Sequence, residues 1–223
     1  MTSALALYAL LGLPEPWRPC STRLPLVIYG GASTIGAFAV KLAQRSNIHP
    51  IIAVAGRGIS FVETLIDQSK GDTVIDYRLG DDAVVSGIQH ALTAAGLKGT
   101  PLMHAYDAAC VGSTFVNLSK VMGDGGKIVL VNPEVDTSAI PKNISKVMVN
   151  CGEVHGPDSS RQVFGYVYFQ YFAKGLAEGW LRGHPIKVAP GGLDGLQSAL
   201  IDLKEGKVSA VKYVLRIAET RSS

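Results

Sequence analysis

The chain has 223 residues, 47% of them apolar and 17% charged, enough to bury the core of one large domain. Its 21 Lys and Arg against 18 Asp and Glu leave a formal charge of +3, and the cations are scattered, so neither nucleic acid nor an anionic membrane surface is an expected partner. Three cysteines, Cys20, Cys110 and Cys151, stand far apart without CxxC or Cys/His spacing, which argues against a zinc site or a disulfide framework and for a reduced, cytoplasmic chain.

Ala4–Leu13 has the apolar character of a signal-peptide core, but no Lys or Arg precedes it and Pro14-Glu15-Pro16 ends it, so it is read as a helix. Thr2 is its expected N-cap, Leu11 its approximate end and Gly12 its stop. No stretch reaches the ~20 apolar residues of a membrane span. Pro14 to Pro25 is a proline-rich connector, and a connector this early implies that the first helix belongs to something other than the sheet that follows.

From Leu24 onward, short β-branched runs alternate with helical stretches. Strands are expected at Leu26–Tyr29, Ile51–Ala55, Thr73–Asp76, Leu102–Asp107, Lys127–Val131 and Lys146–Asn150. Helices are expected near Ile35–Arg45, Ser60–Ser69, Asp82–Ala95 and Ser113–Met122. Continuous Val/Ile/Leu runs between helices describe strands covered on both faces, hence an α/β fold with a Rossmann-type, doubly wound parallel sheet of about six strands. After Asn150 the character changes. Gln162–Leu181 is one aromatic-rich helical stretch, Leu193–Lys204 a short amphipathic helix and Lys212–Ile217 a last strand. The expected organisation is an N-terminal helix and connector over 1–23, a nucleotide-binding domain over 24–156 and a C-terminal segment over 157–223 whose apolar surface must pack on something.

Leu26–Gly36 is the informative stretch. An apolar run, a glycine turn and a helical period are how a strand feeds a helix across a phosphate-binding loop. Against the dinucleotide fingerprint, Gly31-Ala32-Ser33-Thr34-Ile35-Gly36 keeps the first and third glycines and has Ser33 at the second. Gly31 would permit the tight turn, Gly36 the close helix–strand approach, and Ser33 and Thr34 could hydrogen-bond a phosphate. The alternative is a glycine turn kept for packing alone. At the end of the second strand, where NAD enzymes place an acid, the chain reads Ala53-Val54-Ala55-Gly56-Arg57-Gly58-Ile59-Ser60. With no acid and an Arg suited to a 2′-phosphate, NADP(H) is preferred over NAD(H), with Ser60 close by; the alternative is Arg57 as a solvated loop residue.

These residues resemble the zinc-independent quinone-oxidoreductase and enoyl-reductase branch of the medium-chain dehydrogenase/reductase superfamily, in particular the trans-acting enoyl reductases of fungal polyketide pathways. The matching words are Thr2–Pro14, Val27–Gly36, Val74–Arg78, Gly126–Pro133 and Gly191–Ile217, in the family's order along nearly the whole chain. The resemblance implies that Ser33, Thr34 and Tyr77 line the adenosine-phosphate half of the cofactor site, and that Ala109, Cys110 and Val111, with Asn132 and Pro133, flank the nicotinamide half. It aligns Thr2 with a family threonine near the nicotinamide. Two departures stand out. Ala55-Gly56-Arg57 replaces a Cys-Ser-Pro-like triplet, and the family's GroES-like catalytic domain, of which 157–223 would be the returning part, has no counterpart in this sequence. On residues alone, Tyr77 could equally be a strand-end aromatic packing on a helix.

His104 is expected to be a satisfied core histidine, His155 and His184 to lie on loops and His49 and His90 near surfaces, while Asp107 could cap the following helix or touch a ligand. No catalytic or metal-binding residue is assigned. The implied activity is NADPH-dependent reduction of an enone, an enoyl thioester, including one on a polyketide synthase carrier, or a quinone. The different-class alternative is a non-catalytic nucleotide-binding or dimerisation module, and the sixth-strand edge around Lys146–Asn150 is where a second copy would pair.

Overall fold

The computed structural model describes residues 1–220; residues 221–223, the end of the expected C-terminal segment, lie outside the described residues. Six strands form one parallel sheet in the order β3-β2-β1-β4-β5-β6, with β1 Leu26–Tyr29, β2 Ile51–Ala55, β3 Thr73–Asp76, β4 Leu102–Asp107, β5 Met122–Leu130 and β6 Ser145–Met148. The helices α2 (Thr34–Arg45), α3 (Ile59–Glu63), α4 (Asp81–Ala94) and α5 (Thr114–Val121) connect them. β1 and β2 are buried throughout. In β1, Leu26 and Ile28 enter one core while Val27 and Tyr29 enter the core on the opposite face, the signature of a sheet covered on both sides.

Where elements differ from expectation, hydrogen bonding explains it. The helix expected over Ser60–Ser69 stops at Glu63, because Asp67 takes the Ser69 amide at 3.0 Å and donates its own amide to Asp72 at 3.0 Å. β5 begins at Met122 rather than Lys127. Leu102 and His104, two apart, pair with Met122 and Lys127, five apart, and the glycine-rich stretch between bulges out of register.

The first helix corrects the expectation that it belongs to something other than the sheet. Thr2 lies inside α1 (Thr2–Ala4), with Met1 at the N-cap, and α1 continues as a π-helical stretch, Leu5–Leu10, that Gly12 ends at φ +71°. Ala4, Leu5, Leu7 and Tyr8 are buried in the same core as α2 and the sheet, and the Tyr8 hydroxyl donates to the Leu42 carbonyl at 2.9 Å.

α6 (Ser159–Ala177) starts where Asp158 accepts from the Ser160 amide at 2.8 Å, three residues before the expected start. Its inner face packs on the first helix. Tyr168 stacks on Tyr8 at 5.2 Å and contacts Phe164 at 4.3 Å, while Trp17 lies 5.4 Å away. Beyond it, β7 (Ile186–Ala189), which sequence reading missed, pairs in parallel with β8 (Lys212–Leu215) as a separate two-stranded sheet, with α7 (Leu196–Lys204) between them.

Candidate functional site

The carboxyl ends of β1 to β4 open onto a cleft of about 460 Å³, the place where an open parallel sheet takes ligands. Its floor is the turn from β1 into α2. Gly30, at φ +77°, makes the turn, and the amides of Gly30 and Gly31 both donate to the Val54 carbonyl at 2.9 and 3.0 Å. The positive φ belongs to Gly30 rather than to Gly31, which instead sits tight against Ala53. A Cβ on Gly36 would collide with the Gly30 carbonyl, so only glycine lets α2 begin this close beneath β1. Ser33 caps α2 by accepting from the Gly36 amide at 2.9 Å, and its own hydroxyl proton stays free to donate. The Thr34 and Ile35 amides, first in the helix, have no backbone acceptor among the described residues, and the helix end they form favours an anion.

One wall comes from the end of β2. Ala55, Gly56 and Arg57 line it, and a Cβ on Gly56 would fall 2.6 Å from the Tyr77 ring. Tyr77 is 47% exposed and stacks on Tyr29 with ring centroids 6.4 Å apart. Arg57 is exposed, and one of its guanidinium nitrogens donates to the Gly206 carbonyl. Gly206 belongs to the C-terminal segment, whose Val208, Ser209 and Ala210 complete the wall.

The opposite wall follows β4. Buried Asp107 accepts from the Ala109 amide at 3.0 Å, the Cys110 amide at 2.7 Å and the Thr114 hydroxyl at 2.5 Å, so it organises the loop into α5. Burial pushes its carboxyl above the usual range, opposed by these bonds. Cys110 faces inward at φ +50°, its thiol donating to the Asp107 carbonyl and accepting from the Val131 amide, both at 3.2 Å. Burial, with Asp107 adding, pushes that thiol up to about 11. Asp81, first residue of α4, faces the cleft and accepts at Oδ1 from the Ser113 hydroxyl and the Asn117 amide, each at 2.7 Å.

Of the residues expected at a cofactor site, Ser33, Arg57, Tyr77, Ala109 and Val111 line this cleft. Gly31 and Gly36 shape its floor, and Thr34 and Ile35 begin α2. Ser60 is exposed in α3, Cys110 is turned away, and Asn132 and Pro133 sit on the loop after β5, Asn132 accepting from the Glu134 amide at 3.0 Å. Sequence reading missed Tyr29, Gly30, Asp81, Ser113, Thr114 and the segment 208–210. The adjacent glycine pair could have pointed to Gly30; nothing local marks Asp81 or 208–210.

The histidines correct two expectations. His49 is buried, not near the surface, and pairs with Asp72 at 2.8 Å. His104 is half-buried with Nδ1 lacking a partner, so it is not a satisfied core histidine. His184 is also buried, edge-on to Phe61 at 5.1 Å. Among the described residues no cluster of His, Cys, Asp and Glu could hold a metal.

No protein-family model matches the chain. Among curated proteins, it is 43% identical over 193 residues to the trans-enoyl reductase fsr4 of Gibberella fujikuroi, a match covering 85% of this chain and 55% of that protein. The chain is homologous to this trans-enoyl reductase over most of its own length. It spans little more than half the length of this relative. The enoyl reductase cyclopropanase CurF of the curacin A biosynthetic pathway superposes with a TM-score of 0.68 at 16% identity, over 96% of this chain and 59% of that one. CurA of Vibrio vulnificus, solved in complex with NADPH, superposes with a TM-score of 0.65 at 16% identity, over 100% of this chain and 62% of that one. These likenesses confirm the Rossmann-like α/β fold.

Proposed function

We propose that this chain carries the NADP(H) site of an enoyl or quinone reductase that delivers hydride to a conjugated C=C bond or a quinone. The observation that carries the reading is the cleft itself: a strand–turn–helix floor with free amides at the start of a 12-residue helix, and a β2 wall that offers Arg57 and no acid. The likeness to a protein named as a trans-enoyl reductase, and to a structure solved with NADPH, supports it.

In this reading the Thr34 and Ile35 amides and the Ser33 hydroxyl hold the pyrophosphate at the start of α2, where the helix dipole adds to the attraction. Arg57 spends one donor on the Gly206 carbonyl and keeps the rest of its fork for the 2′-phosphate. Tyr77 flanks the adenosine. Bound NADPH supplies the hydride, and the chain's part is to position it. No side chain is assigned the accompanying proton. The substrate class is an enone, an enoyl thioester or a quinone. A thioester carried by a polyketide synthase suits a reductase acting in trans, and a second copy would pair along β6, an edge strand of the sheet. Three free cysteines favour a cytoplasmic setting.

Fluorescence titration of Arg57→Ala with NADPH and NADH tests the cofactor assignment. NADPH affinity falls about 10- to 100-fold, the scale of a charged hydrogen-bonded contact, while NADH affinity stays within about twofold. Equal loss for both cofactors overturns Arg57 as the 2′-phosphate residue.

A further inference from the structure

We infer that Asp81 recognises the exocyclic amine of the adenine and so makes the cleft selective for a 6-aminopurine dinucleotide. The inference rests on the cofactor reading above and adds to it a residue that reads the base.

Two formally charged side chains line the cleft among the described residues, Arg57 and Asp81. They divide it by charge. A dinucleotide phosphate is polyanionic, so its phosphates belong with Arg57 and the start of α2, and a carboxylate among them would be repelled. At the adenosine end a carboxylate can favour the ribose 3′-hydroxyl or the base, and the flat face of Tyr77 in the same cleft favours the base. An ionised carboxylate only accepts hydrogen bonds, and the 6-amine is the one strong donor on the adenine ring, whose ring nitrogens N1, N3 and N7 are acceptors.

The carboxylate is also fixed in place. Ser113 on the loop before α5 and Asn117 within α5 both donate to Oδ1 at 2.7 Å, bridging 32 and 36 residues of chain. Those donors hold the group below the usual carboxylate range, so it remains an acceptor at neutral pH. They leave Oδ2 without a protein donor among the described residues. In the same cleft, the exposed Tyr77, backed by Tyr29 at 6.4 Å, offers a flat face on which a purine can stack. A residue serving only to tie α4 to α5 would need the Ser113 and Asn117 bonds but no position on the cleft wall.

The experiment compares NADPH with its hypoxanthine analogue, in which a 6-oxo group replaces the amine, by fluorescence titration of the wild-type chain, Asp81→Asn and Asp81→Ala. The wild-type chain binds NADPH about tenfold more tightly than the analogue, since a carboxylate placed for the 6-amine meets the oxo group acceptor to acceptor, the analogue's own donor having moved to N1. Asp81→Asn, which can donate to the oxo group, narrows or reverses that ratio, and Asp81→Ala brings it close to one. A wild-type chain that binds both dinucleotides equally overturns the role of Asp81 while leaving the cofactor reading intact. So do variants that weaken both dinucleotides in step, which is what a purely structural tie between α4 and α5 produces. A wild-type chain that binds neither overturns the cofactor reading and this inference together. The wild-type ratio needs no variant to fold.

Discussion

Asp72 carries more of the fold than any motif suggests. Its side chain is fully buried, Oδ1 accepts from His49 Nδ1 at 2.8 Å and the Ile51 amide at 2.7 Å, and Oδ2 accepts from the Asp67 amide at 3.0 Å. One carboxylate thereby satisfies the first amide of β2 and the turn that ends α3. Asp72→Ala strands those donors in a dry site and should cost about 3 kcal/mol, seen as a Tm about 10 °C lower in thermal unfolding. A change within 1 °C would show that the network contributes nothing net. At this scale, legibility divides by chemistry. Gly36 could be read from sequence because steric demand at a strand–helix turn is local. Asp72 and Asp81 could not, because their partners are set by distant backbone: Gln44 reaches Asp72 across 28 residues, and Asn117 reaches Asp81 across 36.

Among the elements, α6 shows where apolar surplus goes. Tyr168 is 1% exposed between Tyr8, Phe164 and Trp17, whereas Tyr166 is 68% exposed on the other face. Tyr168→Ala should therefore cost about 3–5 kcal/mol and Tyr166→Ala within about 0.5 kcal/mol, as read by denaturant unfolding. Similar losses at both positions would mean that α6 does not dock through Tyr168. The aromatic run predicted a helix that must pack on something. It did not say on what, since the docking partner is an N-terminal helix more than 150 residues away, and the proline-rich connector suggested that this helix lay elsewhere. Strands β1 to β4 were read with their observed bounds because short apolar, β-branched runs set off by turn and helix signals are local features of the sequence. β7 was missed because four residues between two prolines carry too little pattern.

For the molecule as a whole, pH should report on the half-buried His104 and the buried His184. Burial, with Lys127 beside His104 and with Lys41 and Lys212 near His184, lowers both below the usual 6.5. As pH falls through 6.5 the unfolded chain takes up protons that the folded chain refuses, so the stability these neutral rings contribute is present above 6.5 and is lost as pH drops toward their folded values. Asp107, pushed up from 3.8 by burial, works in the opposite sense: its contribution is complete below 3.8 and declines as pH rises through its folded value. The histidine effect is therefore read as the difference between the wild-type chain and His104→Phe/His184→Phe, whose Tm should fall less steeply between pH 7 and 5; parallel curves would exclude it. The parallel sheet, the glycine turn into α2 and the cation at the end of β2 were legible in the residues alone, because apolar runs, close approach and charge at a strand end are properties of neighbouring residues. Contacts in the folded chain alone establish that the first helix enters the main core, that Val208–Ala210 line the cleft beside the Arg57–Gly206 bond, and that Asp81 faces it alongside the loop into α5. Those are contacts between segments far apart in the chain, and local periodicity carries no information about which distant surface a segment will meet.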